Sequence, residues 1–176
     1  MPKRVRAARG LKRLFHVDDG GEAAPRRVFV VHGRDEGLRD RVARVLDRLD
    51  FEVVTLSEEP HWGRTLIEKF EDETLGVGFA VVILSPDDWG RGPDGEDWPQ
   101  DPNRARQNVI LELGYFMGRL GRDRVTALYQ EHVERPSDIH GVGYIPIDQS
   151  GAWRLGLAKE LAAADYEVDF NRLKTA

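Results

Sequence analysis

Short apolar runs alternate with amphipathic stretches along most of this chain. The runs are rich in β-branched and aromatic residues, and they predict strands at 28–31, 52–56, 79–84, 125–129 and 144–147. The run FAVVIL at 79–84 is apolar at every position, which is typical of a strand covered on both faces, so we expect it at the sheet centre. Pro146 favours an edge position for the last strand, because proline has no backbone N–H to donate.

The stretches between these runs carry apolar side chains at helical spacing. From Leu38 to Leu49 the apolar positions are i, i+4, i+7, i+8 and i+11, one helical stripe, and Asp35 precedes them as a candidate N-cap. Further helices are predicted at 64–74, 104–120 and 151–164. This alternation predicts a three-layer, flavodoxin-like α/β fold: a five-stranded parallel sheet with helices on both faces. Ligands of such folds bind beyond the carboxyl ends of the strands, near the reversal of strand order.

Composition narrows the class of protein. A length of 176 residues favours one domain, because domains typically have about 100–200 residues. The chain has no cysteine, which excludes a disulfide scaffold, a thiolate metal site and a cysteine nucleophile. The five histidines lack metal-ligand spacing, so we expect no metal. No apolar run reaches ~18 residues and no signal peptide is recognisable, so we expect a cytoplasmic protein that does not span a membrane.

The start of the chain differs in charge from the rest. Residues 1–27 carry eight basic and three acidic side chains, a net charge of +5, whereas the other 18 basic and 28 acidic residues give −10. We therefore divide the chain into a basic arm and linker, 1–26, and a folded domain, 27–176. A solubilising or disordered tail is the simplest interpretation of the arm, and the alternative is docking to an acidic partner, to nucleic acid or to a membrane surface. Nothing beyond the arm favours nucleic acid or a membrane, and we expect neither as a partner.

One predicted helix contains a conspicuous carboxylate. The stretch NVILELGYFMGRL at 108–120 is apolar nearly all round, which predicts a buried helix, and Glu112 is its one acidic residue. A buried lone carboxylate is unfavourable unless it is paired or functional, and desolvation would raise its pKa toward values useful in catalysis. A salt bridge with Arg104, Arg106 or Arg119 is the structural alternative, and both interpretations stay open here.

Neighbours on the same helix add to this picture. Asn108 precedes Glu112 by one turn on the same face and is a candidate substrate-binding residue. Three glycines lie on the helix or just past it, and we expect them to allow close packing of the helix on the sheet. They are Gly114, Gly118 and Gly121.

Three further segments follow predicted strands and carry residues suited to a nucleotide. The first segment, at 32–35, contains Gly33, which allows close backbone approach, and Arg34, which can hold a phosphate with two hydrogen bonds. The second, at 61–65, offers a tryptophan for a base and a helix N-terminus for a phosphate. The third, at 85–103, is a long irregular loop of the kind that often binds ligands. The alternatives are a loop with a helix cap for the first segment, a tryptophan packed on the core for the second and a disordered excursion for the third. The residues singled out are His32, Gly33, Arg34, Trp62, Gly63, Arg64, Thr65, Asp87 and Trp89.

Taken together and in this order, these segments resemble a known family. The matching stretches are VFVVHGRDEG, GRTLIEKFED, GFAVVILSPDD, RARQNVILELGYFMGRLGRDRV, YIPIDQSGAW and LAKELAAADYEVD, which span about residues 27–173. They are similar to the bacterial TIR-like (Toll/interleukin-1 receptor-like) nucleotide-binding domains. The closest resemblance is to the effector domains of cyclic-nucleotide-triggered antiphage systems.

The resemblance implies an NAD⁺ glycohydrolase, which cleaves the bond between nicotinamide and ribose, with NAD⁺ as substrate and no further cofactor. The family's catalytic glutamate matches Glu112. The resemblance also implies that the 32–34 loop and the 62–65 segment line the nucleotide pocket, and that Asp87 and Trp89 close it. Such cleavage passes through an oxocarbenium-like state, which one carboxylate can stabilise. Nicotinamide leaves neutral, so no second acid is required.

Family members are commonly fused to a sensor domain, whereas only about 26 residues precede the matched body here. We therefore expect a separate sensor or activator protein, or self-assembly into a homo-oligomer or filament in which a neighbouring subunit completes the site. Two other functions stay open: a non-catalytic nucleotide-binding or TIR–TIR scaffolding module, and a nucleoside deoxyribosyltransferase, which has a similar fold and uses a glutamate. Nothing in the sequence distinguishes ADP-ribose, a cyclic form or an exchanged base as the product, or identifies the trigger.

Overall fold

The fold is built on a parallel sheet of five strands. The computed structural model describes residues 25–56, 66–88, 104–136 and 141–174. The strands are β1 (Arg27–Val31), β2 (Glu52–Val54), β3 (Phe79–Leu84), β4 (Val125–Tyr129) and β5 (Gly143–Pro146). They are ordered β2-β1-β3-β4-β5, and all four neighbouring pairs run parallel. The order reverses between β1 and β3, which confirms the flavodoxin-like arrangement.

Helices cover both faces of this sheet. They are α1 (Glu36–Arg48), α2 (Leu66–Glu73), α3 (Gln107–Leu120) and α4 (Trp153–Ala163). Successive strand residues point to opposite faces, so Val28 and Val30 pack with α1 and α4, whereas Phe29 and Val31 pack with α2 and α3. Every residue of β3 is fully buried, and β3 occupies the middle of the sheet as predicted.

The first helix follows its sequence pattern closely. All five positions of its predicted stripe are buried: Leu38, Val42, Val45, Leu46 and Leu49. The carboxylate of Asp35 accepts a hydrogen bond from the backbone N–H of Leu38 at 2.9 Å, as an N-cap does. Trp153, Leu157 and Leu161 of α4 are buried as expected.

Other predicted boundaries were wrong by a few residues. Strand β2 ends at Val54 rather than at residue 56, and β5 covers Gly143–Pro146 at the sheet edge. The largest error concerns the helix predicted at 104–120, which begins at Gln107. Arg104 is extended instead, because its backbone pairs with that of Asp88 on one side and Glu134 on the other. Local spacing could not reveal these long-range pairings.

Two further predictions concern the start of the chain and the absence of a membrane span. Residues 1–24, most of the proposed basic arm, lie outside the described residues, so the division of the chain at residue 27 stays a prediction. Among the helices of the described part, none is long and apolar enough to cross a membrane.

Candidate functional site

Three chain segments meet at the carboxyl edge of the sheet where the strand order reverses. They are the loop after β1, the loop after β3 and the segment that leads into α3. The carbonyl oxygen of Arg104 accepts hydrogen bonds from the backbone N–H groups of Asp87 at 3.1 Å and Asp88 at 3.0 Å. The chain therefore returns to this edge just before α3 begins, which places the N-terminal turns of α3 beside the position where ligands of this fold bind.

The loop after β1 is tied to the loop after β3 through one carboxylate. Oδ2 of Asp87 accepts hydrogen bonds from the backbone N–H of Arg34 at 3.1 Å and from Oγ of Ser85 at 2.8 Å. A Cβ atom on residue 33 would overlap Oδ2 of Asp87 and lie 2.8 Å from its Cγ. Any larger residue at position 33 would therefore have to displace the Asp87 side chain, and the close approach expected there is made by Asp87.

The start of α1 is already occupied by a side chain of the protein. In addition to capping Leu38, the carboxylate of Asp35 accepts a hydrogen bond from Nε2 of Gln130 at 2.8 Å. A carboxylate at this helix start disfavours a phosphate there. The Arg34 side chain is exposed and remains available for a phosphate, and His32 is half-buried with its Nδ1 2.9 Å from the carbonyl oxygen of Gly33.

Gln130 was not identified from the sequence, although its position offered a signal. Gln130 directly follows β4, and Asp87 lies three residues after the end of β3. Residues just beyond the carboxyl ends of parallel strands lie at one edge of the sheet. Its backbone N–H also bonds to the carbonyl oxygen of Leu84 at 3.0 Å, so it fixes both the end of β3 and the start of α1.

Glu112 lies on α3 as a half-buried carboxylate without a bonding partner among the described residues. The alternative of a salt bridge does not hold among the described residues. Arg104 pairs with Glu134 at 2.7 Å, Arg119 donates to two hydroxyl groups, and Arg106 acts on Glu112 only through its nearby charge. Burial raises the pKa of Glu112 from 4.5 to about 7, and the nearby positive charge of Arg106 opposes this rise. Near neutral pH this carboxylate can therefore both titrate and stabilise a developing positive charge.

The rest of α3 differs from the buried helix that its composition predicted. Only one face is buried, and it consists of Val109, Leu113, Phe116 and Leu120. On the outward face, Leu111 is 68% exposed, and a Cβ atom on Gly114 or Gly118 would point into open space. The expected close packing of these two glycines on the sheet was wrong, because the sheet covers only one side of the helix.

Gly121 has a different role at the helix end. Its φ of +86° lies in the left-handed region, where glycine is favoured, and it ends α3.

The remaining predicted site residues divide into two groups. Asn108 is exposed on the first turn of α3, four residues before Glu112 and so on the same side of the helix. The others lie outside the described residues, so their assignment stays a prediction: Trp62, Gly63, Arg64, Thr65 and Trp89. The first four immediately precede α2, which begins at Leu66.

A cavity of about 440 Å³ opens on the other flank of α3, lined among others by Gln107, Ile110 and Arg135. Within the described ranges, no group of three or more histidine, aspartate or glutamate side chains could hold a metal ion.

Comparison with known protein families decides the affiliation of this chain. The sequence model of the family described as "CAP12/Pycsar effector protein, TIR domain" matches residues 27–149, which is more than half of the chain. The chain belongs to this TIR domain family. The resemblance noted from the sequence is thereby confirmed, and the match contains β1 to β5, α1 to α3 and every candidate site residue.

Individual relatives of this TIR domain come from bacteria and an amoeba. It is 44% identical to the uncharacterized protein YuaY of Escherichia coli over 151 residues, 86% of this chain and 50% of YuaY. It is 31% identical to protein tirC of Dictyostelium discoideum over 156 residues, 84% of this chain and 72% of tirC. It is 42% identical to the Pycsar effector protein BcPycTIR of Burkholderia cepacia over 82 residues, 46% of this chain and 25% of that protein. The chain thus spans about half of YuaY and a quarter of BcPycTIR.

Proposed function

We propose that this TIR domain is an NAD⁺ glycohydrolase in which Glu112 is the catalytic carboxylate. One observation carries the proposal: a half-buried carboxylate, with no bonding partner among the described residues and a pKa raised to about 7, lies on the helix that starts beside the strand-order reversal. A structural carboxylate at such a depth would be expected to have an ion-pair partner.

The chemistry requires little beyond one well-placed negative charge. When the bond between the nicotinamide nitrogen and the ribose carbon breaks, the bonding electrons leave with nicotinamide, which becomes neutral, and the ribose becomes cationic. The ionised Glu112 side chain stabilises this cation, and partial burial strengthens the interaction by lowering the local dielectric. Water then adds to the ribose carbon and releases a proton, which yields ADP-ribose.

The described loops support a division of roles in binding NAD⁺. The exposed guanidinium of Arg34 can hold a phosphate with two hydrogen bonds, whereas the Asp35 carboxylate disfavours a phosphate at the start of α1. Asp87 orders the Arg34 loop from within the protein, and Asn108 stands beside Glu112 to meet the sugar. The 62–65 segment and Trp89 complete the pocket in this proposal.

We further propose that the enzyme acts as a defence or toxic effector on NAD⁺ in the cytoplasm, and that assembly or a separate activator switches it on. The names of relatives such as BcPycTIR, a Pycsar effector protein, support the effector role. The outward face of α3, defined by Leu111, Gly114 and Gly118, is apolar and open beside Glu112, which supports the packing of a second copy there.

The test is to incubate the protein with NAD⁺, with and without crowding agents and candidate activators, and to measure free nicotinamide. We expect turnover by the wild type and its loss in Glu112→Gln, which preserves shape but removes the charge. Glu131→Gln is the matched control, because the Glu131 side chain is 87% exposed and should tolerate the change. Full turnover by Glu112→Gln contradicts the proposal. Binding of NAD⁺ without cleavage would favour a scaffolding module, and base exchange on deoxynucleosides would favour a deoxyribosyltransferase.

A further inference from the structure

A polar cluster joins α2 to α3 on the flank of α3 that carries Glu112. The cluster consists of Thr74, Tyr115 and Arg119, and we call it the Thr74 cluster. Nη1 of Arg119 donates hydrogen bonds to Oγ1 of Thr74 at 3.0 Å and to the hydroxyl oxygen of Tyr115 at 2.6 Å. The two hydroxyl oxygens are 3.2 Å apart. Bonds from a charged donor are stronger than neutral ones, so this junction is firm.

The hydrogen positions in the cluster follow from its geometry. Thr74 is fully buried, and its hydroxyl donates to the carbonyl oxygen of Glu71 at 2.8 Å. Since threonine has a single hydroxyl hydrogen, Oγ1 of Thr74 must act as the acceptor toward both Tyr115 and Arg119. Each hydroxyl therefore both donates and accepts, and losing one partner would leave a buried polar group unsatisfied.

The cluster fixes the end of a short helix. Thr74 follows α2 directly and donates its backbone N–H to the carbonyl oxygen of Phe70 at 3.1 Å. The ring of Tyr115 packs against the ring of Phe70 with centroids 4.8 Å apart. A helix of eight residues, such as α2, is not stable by itself, so its position depends on contacts of this kind.

Tyr115 and Arg119 stand three and seven residues after Glu112. Residues at these spacings share one flank of a helix. The flank of α3 that carries Glu112 is therefore the flank against which α2 is held. Thr74 directly follows α2, so the cluster fixes the end of α2 on this flank.

We propose that Tyr115 and Arg119 are positioning residues for the reaction: by holding α2 against α3, they keep Glu112 partly shielded from water and aligned with the bound sugar. This inference rests on the proposed function. Arg119 does not neutralise Glu112, since its guanidinium bonds to hydroxyl groups. It acts through the placement of α2 and makes no contact with the reacting atoms.

Two conservative variants test the proposal. Tyr115→Phe removes one hydroxyl, and Arg119→Lys keeps the charge but loses the planar geometry of the guanidinium. The matched controls are Tyr144→Phe, because the Tyr144 hydroxyl has no hydrogen-bond partner in the described structure, and Arg44→Lys on the exposed face of α1. We expect each test variant to lose about tenfold in kcat/KM for NAD⁺, on the scale of one lost charge-assisted hydrogen bond.

A second measurement separates positioning from general destabilisation. The titration of Glu112, followed by NMR of labelled glutamate carboxyl carbons without NAD⁺, should move from about 7 toward its ordinary value in both variants as water reaches the loosened flank. The controls should leave it unchanged. If Arg119→Lys does not fold, Tyr115→Phe alone decides whether the positioning role holds.

The outcomes distinguish this inference from the proposed function. An active wild type, with test variants that keep both its kcat/KM and its Glu112 titration, overturns the positioning role alone. A wild type that never cleaves NAD⁺ overturns the proposed function, and the positioning role with it. Loss of activity together with a lowered Glu112 titration in the variants supports both.

Discussion

Gly33 and Asp87 interlock, because the carboxylate oxygen Oδ2 of Asp87 occupies the space that a Cβ atom on residue 33 would need. The same oxygen accepts the backbone N–H of Arg34, so the contact aligns the loop after β1 with the loop after β3. These two loops flank the strand-order reversal, so the contact sets their relative position at that edge of the sheet.

We expect Gly33→Ala to lower the free energy of unfolding by about 1–3 kcal/mol, because the added methyl group must displace Asp87. The φ of Gly33 lies outside the left-handed region, so alanine is otherwise acceptable there. The double variant Gly33→Ala, Asp87→Ala should therefore lose less stability than the sum of the two single variants. Urea unfolding of all four proteins measures this coupling, and strictly additive losses would speak against the interlock.

The raised pKa of Glu112 predicts a pH-dependent rate. If the ionised carboxylate stabilises the ribose cation, kcat/KM should fall about tenfold per pH unit below about 7 and level off above it. Arg106→Gln should move the midpoint upward, since the Arg106 charge lowers this pKa. Arg44→Gln serves as the control for charge removal. A rate that is constant from pH 5 to pH 9 would exclude Glu112 as the titrating catalytic group.

Ionisation of Glu112, which should raise the rate, should lower the stability of the fold. Its pKa is higher in the folded protein than the ordinary value of 4.5, so folding favours the protonated form. That stabilising contribution is complete below about pH 4.5 and is lost as the pH rises through about 7. Glu112→Gln should therefore be more stable than the wild type at pH 8, by about 3 kcal/mol at most, with little difference at pH 4.5. Denaturant unfolding at both pH values checks the sign, and a variant less stable at pH 8 would indicate a structural role for the charge.

Substitutions on the open outward face of α3 allow their effects on stability and on assembly to be measured separately. Gly114→Ala should raise the free energy of unfolding by about 1 kcal/mol, because alanine is the better helix former and its methyl group meets open space. If a second copy packs on this face, the same change should reduce assembly-dependent turnover. Leu111→Arg should also reduce that turnover while changing stability little, since Leu111 is exposed. Sedimentation and nicotinamide release measure both effects, and unchanged assembly in both variants would place the interface elsewhere.

Periodicity predicted the elements whose contacts repeat along the chain. The stripe of α1, the apolar run of β3 and the Asp35 cap each depend on local spacing, and the structure has all three where expected. Spacing could not show which apolar positions of α3 are covered, because one side of an apolar helix looks like another in sequence. It also missed the pairing of Arg104 with Asp88 and Glu134, which joins residues distant along the chain.

In the candidate site, too, local features could be predicted and contacts between distant segments could not. Glu112 could be singled out because a lone carboxylate contrasts with its apolar neighbours, and its burial agrees with that reasoning. The partners of Asp87 and Asp35 could not be predicted, because they come from separate loops that only the sheet brings together. The position of Gln130 just after β4 indicates the edge of the sheet at which it lies, but nothing next to it in sequence indicates that its side chain bonds to Asp35.

The pairing of Asp88 with Arg104 has a consequence for how such a domain can diversify. Backbone hydrogen bonds in both directions join these two residues, at 3.0 and 3.2 Å, so positions 88 and 104 are held side by side. Closing a longer flexible loop across such a junction costs only about 0.6 kcal/mol per doubling of its length. We therefore expect insertions between residues 88 and 104 to leave the helix that bears Glu112 in place. The length of the chain can vary at this point while the sheet and α3 stay constant.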